Sequence, residues 1–370
     1  MPTKPDRLRN CLVFRDKLLL PSEGFIPTHY REFDQLQPVY VANQFGWSAG
    51  ELDGPRLATS HSPIGRLLFK QTGFVDLSPM RAFDPVAVHA HFGRGGALAL
   101  PLARQLGLPL YVTYHGGDAT KNTHERPRLV PTIYQRRVAA LQHYARAFLC
   151  VSDFVARRLA NQGFPRDKLL THYIGIDCSR LEAPQLRNGP LLFAGRLTGK
   201  KGVDVLLVAM RRLQADGHVM PRLDIAGAGP DEAKLRAAAD GLDNVRFLGW
   251  KTPDALAKLM ARATAVVVPS REAADGDCEG LPTVVLEAIR AGAPIIATRH
   301  AGIPEIITHE VSGLLAPEND ADALAVILRQ AIDHAARLPS FVNAAQRRLT
   351  ADFDAQKQSR RLQQILLGHG

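Results

Sequence analysis

The stretch Leu191-Leu-Phe-Ala-Gly195-Arg-Leu-Thr-Gly-Lys200-Lys-Gly-Val-Asp-Val-Leu-Leu207 decides the fold. Leu191 to Ala194 form a short unbroken apolar run, the signature of a strand buried on both faces. A glycine-bounded turn follows, and apolar residues at helical spacing then run from Val203 to Ala215. Leu223 to Ala226 make a second apolar run. Strand, turn, helix and strand in that order make a βαβ unit, since parallel neighbours need a crossover between them.

Downstream the pattern repeats. Strands are predicted at Val245 to Leu248, Ala265 to Pro269 and Ile295 to Thr298, and helices at Asp231 to Ala239, Thr252 to Ala261 and Pro282 to Ala291. Upstream, strand-like runs lie at Cys11 to Phe14, Val39 to Ala42, Val86 to His91, Leu110 to Tyr114, Phe148 to Val151 and Leu169 to Ile174. Helical periodicity falls at Ala97 to Leu106 and Tyr134 to Ala145, and Asp153 is the expected N-cap of a helix through Ala160. Asp177 to Pro190 carries turn residues without periodicity and reads as a linker. The expected class is α/β, with two Rossmann-like doubly wound domains facing across a cleft. Residues 1–180 form the first and 181–350 the second, with a C-terminal helix within 351–370, Asp354 to Leu367, packing back on the first.

At 370 residues the chain is long enough for two cores. With 46% hydrophobic and 22% charged residues, neither disorder nor a fibrous architecture fits. No apolar stretch approaches the ~20 residues needed to cross a bilayer. The opening MPTKPDRLRN lacks the apolar core of a secretory signal, so a cytoplasmic location is expected. Cys11, Cys150, Cys178 and Cys278 have no paired spacing, which argues against a zinc site or a disulfide frame. Charge is uneven: 23 Lys/Arg face 14 Asp/Glu through Arg180, and 23 face 22 after it. Almost all of the net +10 therefore lies in the first half, which points that half toward an anionic partner or simply gives it a solvated basic surface.

Two constellations carry chemistry. In Glu279-Gly-Leu-Pro-Thr-Val-Val-Leu-Glu287, two carboxylates flank a predicted helix start. Pro282 suits the first helical position, leaving the amides around Leu281 and Thr283 to meet an anion. A nucleotide sugar has the matching order: ribose hydroxyls for one carboxylate, diphosphate at the amides, sugar hydroxyls for the other. An ordinary acidic helix start would have the same look. The second constellation is the cationic turn Gly195 to Gly202, where Arg196 can grip phosphate bidentately and Lys201 supplies a point charge. It is not a Walker A loop.

Several isolated signals are weaker. His115 follows an apolar run and so stands at a strand's carboxyl end, with Gly116 and Gly117 leaving room beside it. His89 and His91 share one face of a strand, without a third ligand nearby in sequence to make a metal site, and are expected to pack or to touch substrate. Asp275 and Asp277 read as a loop acidic pair, not a metal-binding D-x-D. GAGP, ending at Pro230, lacks the third glycine of a dinucleotide loop and reads as a plain strand-to-helix turn.

Together GRLTGKKGVDVLL, IAGAGPDEAKL, FLGW and EGLPTVVLE, followed by AGAPIIATRHAGIPEII and VSGLLAPENDADALA, resemble the ordered donor-site motifs of retaining GT4-family glycosyltransferases with the GT-B fold. SEGFI from Ser22, HAHFG from His89, YHGGD from Tyr114 and VSDFVARRL resemble the exopolysaccharide and colanic-acid branch of that family, with Gly24 departing from the usual SETFI. The resemblance implies a retaining hexosyltransferase, of class EC 2.4, using a UDP- or GDP-sugar with neither cofactor nor metal. It implies that Arg196 and Lys201 bind the donor diphosphate, and that Glu287 binds the ribose. Glu279, with the amides of Gly280, Leu281 and Thr283 around Pro282, takes the transferred sugar and its phosphate. His115 would face the sugar, Gly229 would let the nucleotide approach the backbone, and Trp250 would lie near the base.

The implied partners are a nucleotide sugar and a glycan or lipid-linked acceptor, with peripheral contact to an anionic membrane. Nucleic acid is not expected, since no helix-turn-helix, RNP or zinc-finger pattern occurs. Two rivals stay open at this level: a nucleotide-sugar epimerase or hydrolase on the same fold, and a non-catalytic nucleotide-sugar or anionic-glycan binder.

Overall fold

A computed structural model describes residues 8–18, 24–46, 52–121, 130–219 and 221–369. It divides into two units, one of residues 1–175 with 355–370 and the other of residues 176–354.

In the first unit, β1 (Arg9–Leu18), β2 (Leu36–Phe45), β3 (Arg56–Ala58), β4 (Pro85–His91), β5 (Leu110–Tyr114), β6 (Ala147–Cys150) and β7 (Leu169–Thr171) form one sheet in the order 3-2-1-4-5-6-7. Every pairing is parallel. Helices cover both faces, so the central strands are apolar on both sides; all five residues of β5 are buried. One face packs Leu12, Phe14, Val88 and Val112 against the helix Gly93–Leu106. The other packs Cys11, Val13 and Tyr40 against Leu362, Ile365 and Leu366 of the helix Ala355–Leu366. That terminal helix is also held by polar contacts. Gln363 Oε1 accepts the backbone N–H groups of Asp34, Gln35 and Leu36 at 2.9, 2.9 and 3.1 Å, and Gln363 Nε2 donates to Asp34 Oδ1 at 2.6 Å.

The second unit repeats the plan with β8 (Leu191–Ala194), β9 (Leu223–Ala226), β10 (Val245–Gly249), β11 (Ala265–Val268), β12 (Ile295–Thr298) and β13 (Leu314–Ala316), ordered 10-9-8-11-12-13 and parallel throughout. Its core joins Leu191, Phe193, Leu206, Met210 and Val267 to Leu324 and Leu328 of the helix Ala321–Asp333.

Several helix starts differ from the sequence reading: the helix expected from Ala97 begins at Gly93, those expected from Tyr134, Asp231 and Thr252 begin one residue away, and two cap assignments change. Ser152, not Asp153, is the N-cap of the helix Asp153–Asn161: its hydroxyl accepts from Val155 N–H at 3.3 Å, which leaves Asp153 in the first turn beside the positive end of the dipole. Pro282 stands one position ahead of the helix Thr283–Arg290 as its cap residue, with extended ψ of 114°. Among the described residues no helix is long and apolar enough to cross a membrane.

Candidate active site

In the second unit the strand order reverses between β8 and β11, and loops leave the carboxyl ends of both strands side by side. Open α/β sheets bind ligands at such a switch point. The two loops are tied together by Arg271, whose backbone N–H donates to Lys200 O at 2.8 Å, Nε to Gly199 O at 2.9 Å and Nη2 to Asp204 Oδ2 at 2.7 Å. Gly202 allows the contact. It has φ +65°, and a Cβ there would stand 1.8 Å from Pro269 O.

At that junction Lys201 Nζ lies 3.1 Å and Lys200 Nζ 3.4 Å from Glu279 Oε1, and Lys200 Nζ also lies 3.3 Å from Asp277 Oδ1. Burial alone would push the Glu279 carboxyl up, but the two ammonium groups beside it reverse the sign and hold it down at about 2. Burial likewise lowers Lys200, and the Glu279 and Asp277 charges raise it back above its ordinary value. The result is a largely buried knot of fixed charge, ionised on both sides at neutral pH.

Glu287 lies one turn into the helix Thr283–Arg290, bonded to the Thr283 side chain and within the field of Lys201. Burial raises its pKa, and Arg290, Thr283 and Lys201 only partly offset that. Lys201 thus pairs directly with Glu279 and acts on Glu287 only through its field. Pro282 has no N–H, and the amides of Leu281 and Thr283 flank it at this start. The Glu279 N–H is already used, donating to His300 Nε2 at 3.1 Å.

Other expected residues take different positions. Arg196 is exposed on the same loop as Lys201. The space beside Gly229 is filled by protein: a Cβ there would meet Leu197 O at 2.2 Å, so its glycine is required by the packing of two loops. Trp250 follows the edge strand β10 and is 69% exposed. Asp275 Oδ1 accepts the Asp277 N–H at 3.1 Å, so this acidic pair shapes the loop and holds Lys200. Ser22 lies outside the described residues.

One pair was missed. His300 is buried, with Nε2 accepting from Glu279 N–H and Nδ1 donating to Glu318 Oε1 at 2.9 Å, while Glu318 Oε2 accepts from Glu272 N–H at 2.8 Å. These bonds brace the loop that carries Glu279. Both residues follow a strand by two positions, β12 and β13, so the edge rule that singled out His115 points to them as well.

In the first unit His115 leaves β5 at its carboxyl end and belongs to a buried cluster with His29, His89, His91, His172 and Tyr30. Tyr30 Oη lies 2.7 Å from both His89 Nδ1 and His91 Nε2; His91 Nδ1 lies 3.1 Å from His115 Nε2, and His89 Nε2 2.7 Å from Thr113 Oγ1. Burial drives all five imidazoles down, His29 to about 3, His172 to about 4 and the other three well below their ordinary value. Each ring is therefore neutral and carries one N–H. Tyr30 has one proton to give, so every bond in the chain Thr113–His89–Tyr30–His91–His115 points the same way. One direction makes His115 Nδ1 a donor, and the other makes it an acceptor. Asp118 fixes the loop, accepting from the N–H groups of His115, Gly116 and Gly93 at 2.9, 3.0 and 3.0 Å. Among the described residues no group of His, Cys, Asp or Glu has a metal-binding arrangement.

Residues 185–348 match the family model described as glycosyl transferases group 1, and residues 53–180 match glycosyltransferase family 4. WcaL of Salmonella typhimurium, a protein named for colanic acid biosynthesis, is 34% identical over 75% of this chain and 69% of its own length. The amylovoran biosynthesis glycosyltransferase AmsK of Erwinia amylovora is also 34% identical, over 75% and 68%. Among solved structures, Anabaena Alr3699/HepE in complex with UDP superposes with a TM-score of 0.78 at 17% identity, covering 98% of this chain and 100% of that one; it is also known with UDP-glucose. A glycosyltransferase from Rickettsia africae gives 0.73 at 17% identity, covering 99% and 100%. Two doubly wound domains, family matches along both halves and relatives aligned over most of their length lead to one conclusion: the chain has the GT-B fold and belongs to the glycosyl transferases group 1 family.

Proposed function

We propose that this glycosyltransferase is a retaining hexosyltransferase that moves a hexose from a UDP- or GDP-sugar to a glycan or lipid-linked acceptor in polysaccharide assembly, at the cytoplasmic face of a membrane. The observation that carries this reading is the ion pair of Lys201 with Glu279 at the switch point of the second sheet, with Glu287 one turn into the helix that follows. A donor diphosphate there takes Lys201, Arg196 and the amides of Leu281 and Thr283. Glu287 accepts from the ribose hydroxyls and Glu279 from the hexose hydroxyls.

Bond breaking puts charge on the departing diphosphate, and Lys201, held by Glu279, together with the backbone amides is fixed before it develops, so these donors need no reorganisation when it does. Asp118, three residues beyond His115, accepts three backbone N–H groups and is committed to shaping its loop, which supports a mechanism without a protein carboxylate as base. The leaving phosphate oxygen then takes the acceptor proton on the same face of the sugar, giving retention.

Incubation with a panel of nucleotide sugars, with and without glycan acceptors, tests the proposal through nucleotide release and NMR assignment of the product linkage. Acceptor-dependent release with the donor's anomeric configuration kept is expected. Inversion overturns the mechanism. Equal release without acceptor would make the protein a hydrolase, and binding without release a non-catalytic receptor.

A further inference from the structure

Between β11 and the helix Thr283–Arg290, the segment from Glu272 to Glu279 is gripped at both ends by one pair of side chains. Glu318 Oε2 accepts the N–H of Glu272 at 2.8 Å, and His300 Nε2 accepts that of Glu279 at 3.1 Å. The two grips act as one, because His300 Nδ1 and Glu318 Oε1 are 2.9 Å apart. A further bond, from Gly302 N–H to Gly280 O at 3.0 Å, fastens the backbone beside Glu279 to the loop that carries His300. Glu279 is thus fixed from two directions: its carboxylate by Lys200 and Lys201, and its backbone by the loop after β12.

The loops that carry the pair are bent to present it. Ala301, immediately after His300, has φ +48°, and Asn319, immediately after Glu318, has φ +57°. Left-handed backbone is disfavoured for an L-residue, and alanine has no polar side-chain atom to offset it. His300 is 1% exposed, and a buried imidazole costs stability unless its nitrogens are bonded. An apolar side chain would make no such demand. What the imidazole supplies is an acceptor aimed at a backbone N–H and, on the other nitrogen, a donor held by a carboxylate; only the Nδ1–H tautomer satisfies both. Asn319 extends the tie to the cationic turn: its Oδ1 accepts from Arg271 Nη1 at 3.0 Å, and Arg271 holds Gly199 and Lys200.

We propose that His300 and Glu318 are positioning residues for sugar transfer, a two-residue clamp that sets where the Glu279 carboxylate meets the hexose. Two lysines fix the charge of Glu279 but leave its place open, since a flexible ammonium side chain follows a carboxylate that moves. The clamp on the backbone removes that freedom. A shift of about 1 Å at a reacting centre costs on the order of 10²-fold in rate. Free nucleoside diphosphate has no hexose and so does not depend on Glu279. The Gly302–Gly280 bond joins backbone to backbone and survives a change of side chain at 300, which keeps the amides of Leu281 and Thr283 in place for phosphate. The inference rests on the proposed role of Glu279 toward the hexose, while the clamp itself can be read without any reaction.

Transfer kinetics with the nucleotide sugar that the panel selects, beside calorimetry with UDP and GDP, test the proposal. His300→Gln keeps an acceptor for the Glu279 N–H and gives up the Glu318 bond, whereas His300→Phe gives up both. The expected falls in kcat are about tenfold and on the order of 10²-fold. Dissociation constants for UDP or GDP should stay within about threefold of the unaltered protein. In a Glu279→Gln background His300→Gln should add less than about twofold, because both changes act through one carboxylate. Losses that multiply in the double variant, or nucleoside diphosphate binding that weakens as much as kcat, overturn the proposal. Two measurements need neither turnover nor a phenylalanine variant that folds. Nitrogen NMR of the unaltered protein should show His300 protonated at Nδ1 and not at Nε2, and in Glu318→Ala amide exchange should quicken at Glu272 and Glu279 together. The opposite tautomer, or quickening at Glu272 alone, removes the clamp. Should the unaltered protein turn over no nucleotide sugar, the proposed reaction falls and these two readings still decide the clamp.

Discussion

Lys201 Nζ and Glu279 Oε1 are 3.1 Å apart although they leave different strands, β8 and β11, and the pair joins the two loops at the centre of the second sheet. The same ammonium group is therefore both a structural counter-ion and the proposed phosphate ligand. Arg196, on the same loop, is exposed and has no structural burden.

That difference separates the two cations by experiment. Arg196→Ala should leave stability within about 0.5 kcal/mol and lower kcat by on the order of 10²-fold. Lys200→Met combined with Lys201→Met should cost roughly 3 to 5 kcal/mol, because it strands a buried carboxylate. Thermal melts and transfer rates on the same samples check both; an Arg196 variant with normal turnover removes it from the site.

Glu279 and Glu287 should fail differently. Ribose hydroxyls are the same in ground and transition states, so Glu287→Gln is expected to weaken binding of the free nucleoside diphosphate by about tenfold, while Glu279→Gln spares it and lowers kcat with the intact donor. Calorimetry with the nucleoside diphosphate decides, and the reverse pattern would exchange the roles.

The switch-point geometry was legible because buried parallel strands are apolar on both faces. β5, β8, β9 and β12 begin and end where the sequence alone puts them, as does the helix Val203–Ala215. β3 and β13 were not readable, since each is three residues long and, unlike β7 within Leu169 to Ile174, lies in no longer strand-like run. The helix Pro63–Thr72 was hidden for another reason: its apolar face looks outward, so its pattern does not match a core-facing amphipathic helix. In the site, Lys201 is legible in its glycine-bounded cationic turn and Glu279 at a helix start, but the bracing of Glu279 by His300 and Glu318 depends on contacts between strands far apart in sequence. The close approach of Leu197 to Gly229 is likewise a tertiary fact that a GAGP motif does not reveal.

Tyr30→Phe should break the hydrogen-bond chain at its middle. His89 Nδ1 and His91 Nε2 then lose a partner while buried, at a cost of about 1 to 3 kcal/mol. Nitrogen NMR of the imidazoles should show His115 changing its tautomer balance along with His91. An unaltered His115 signal would mean that the chain does not act as a unit.

The buried histidines also set an acid limit. Their folded-state values lie below the 6.5 of a free imidazole, so as pH falls below 6.5 the unfolded chain takes up protons that the folded chain refuses. For His29 and His172 the loss continues toward about 3 and about 4, at roughly 1.4 kcal/mol per pH unit each. The Glu279 ion pairs behave otherwise: their contribution is complete above 4.5 and is lost only as pH drops toward about 2. At pH 5, hydrogen exchange followed by mass spectrometry should therefore speed up in peptides around His29, His91 and His115 before those around Lys201 and Glu279. Simultaneous opening would contradict this order.

The clasp of Gln363 on Asp34, Gln35 and Leu36 has a consequence for synthesis. The sheet of residues 9–171 leaves the ribosome first, but the helix that covers one of its faces is translated only after all of residues 176–354. The later-made unit can close while the earlier one still waits with Cys11, Val13 and Tyr40 uncovered. A ribosome stalled anywhere between those points therefore holds a chain whose sticky surface lies in its oldest part, and that is where a nascent-chain chaperone has the longest time to act.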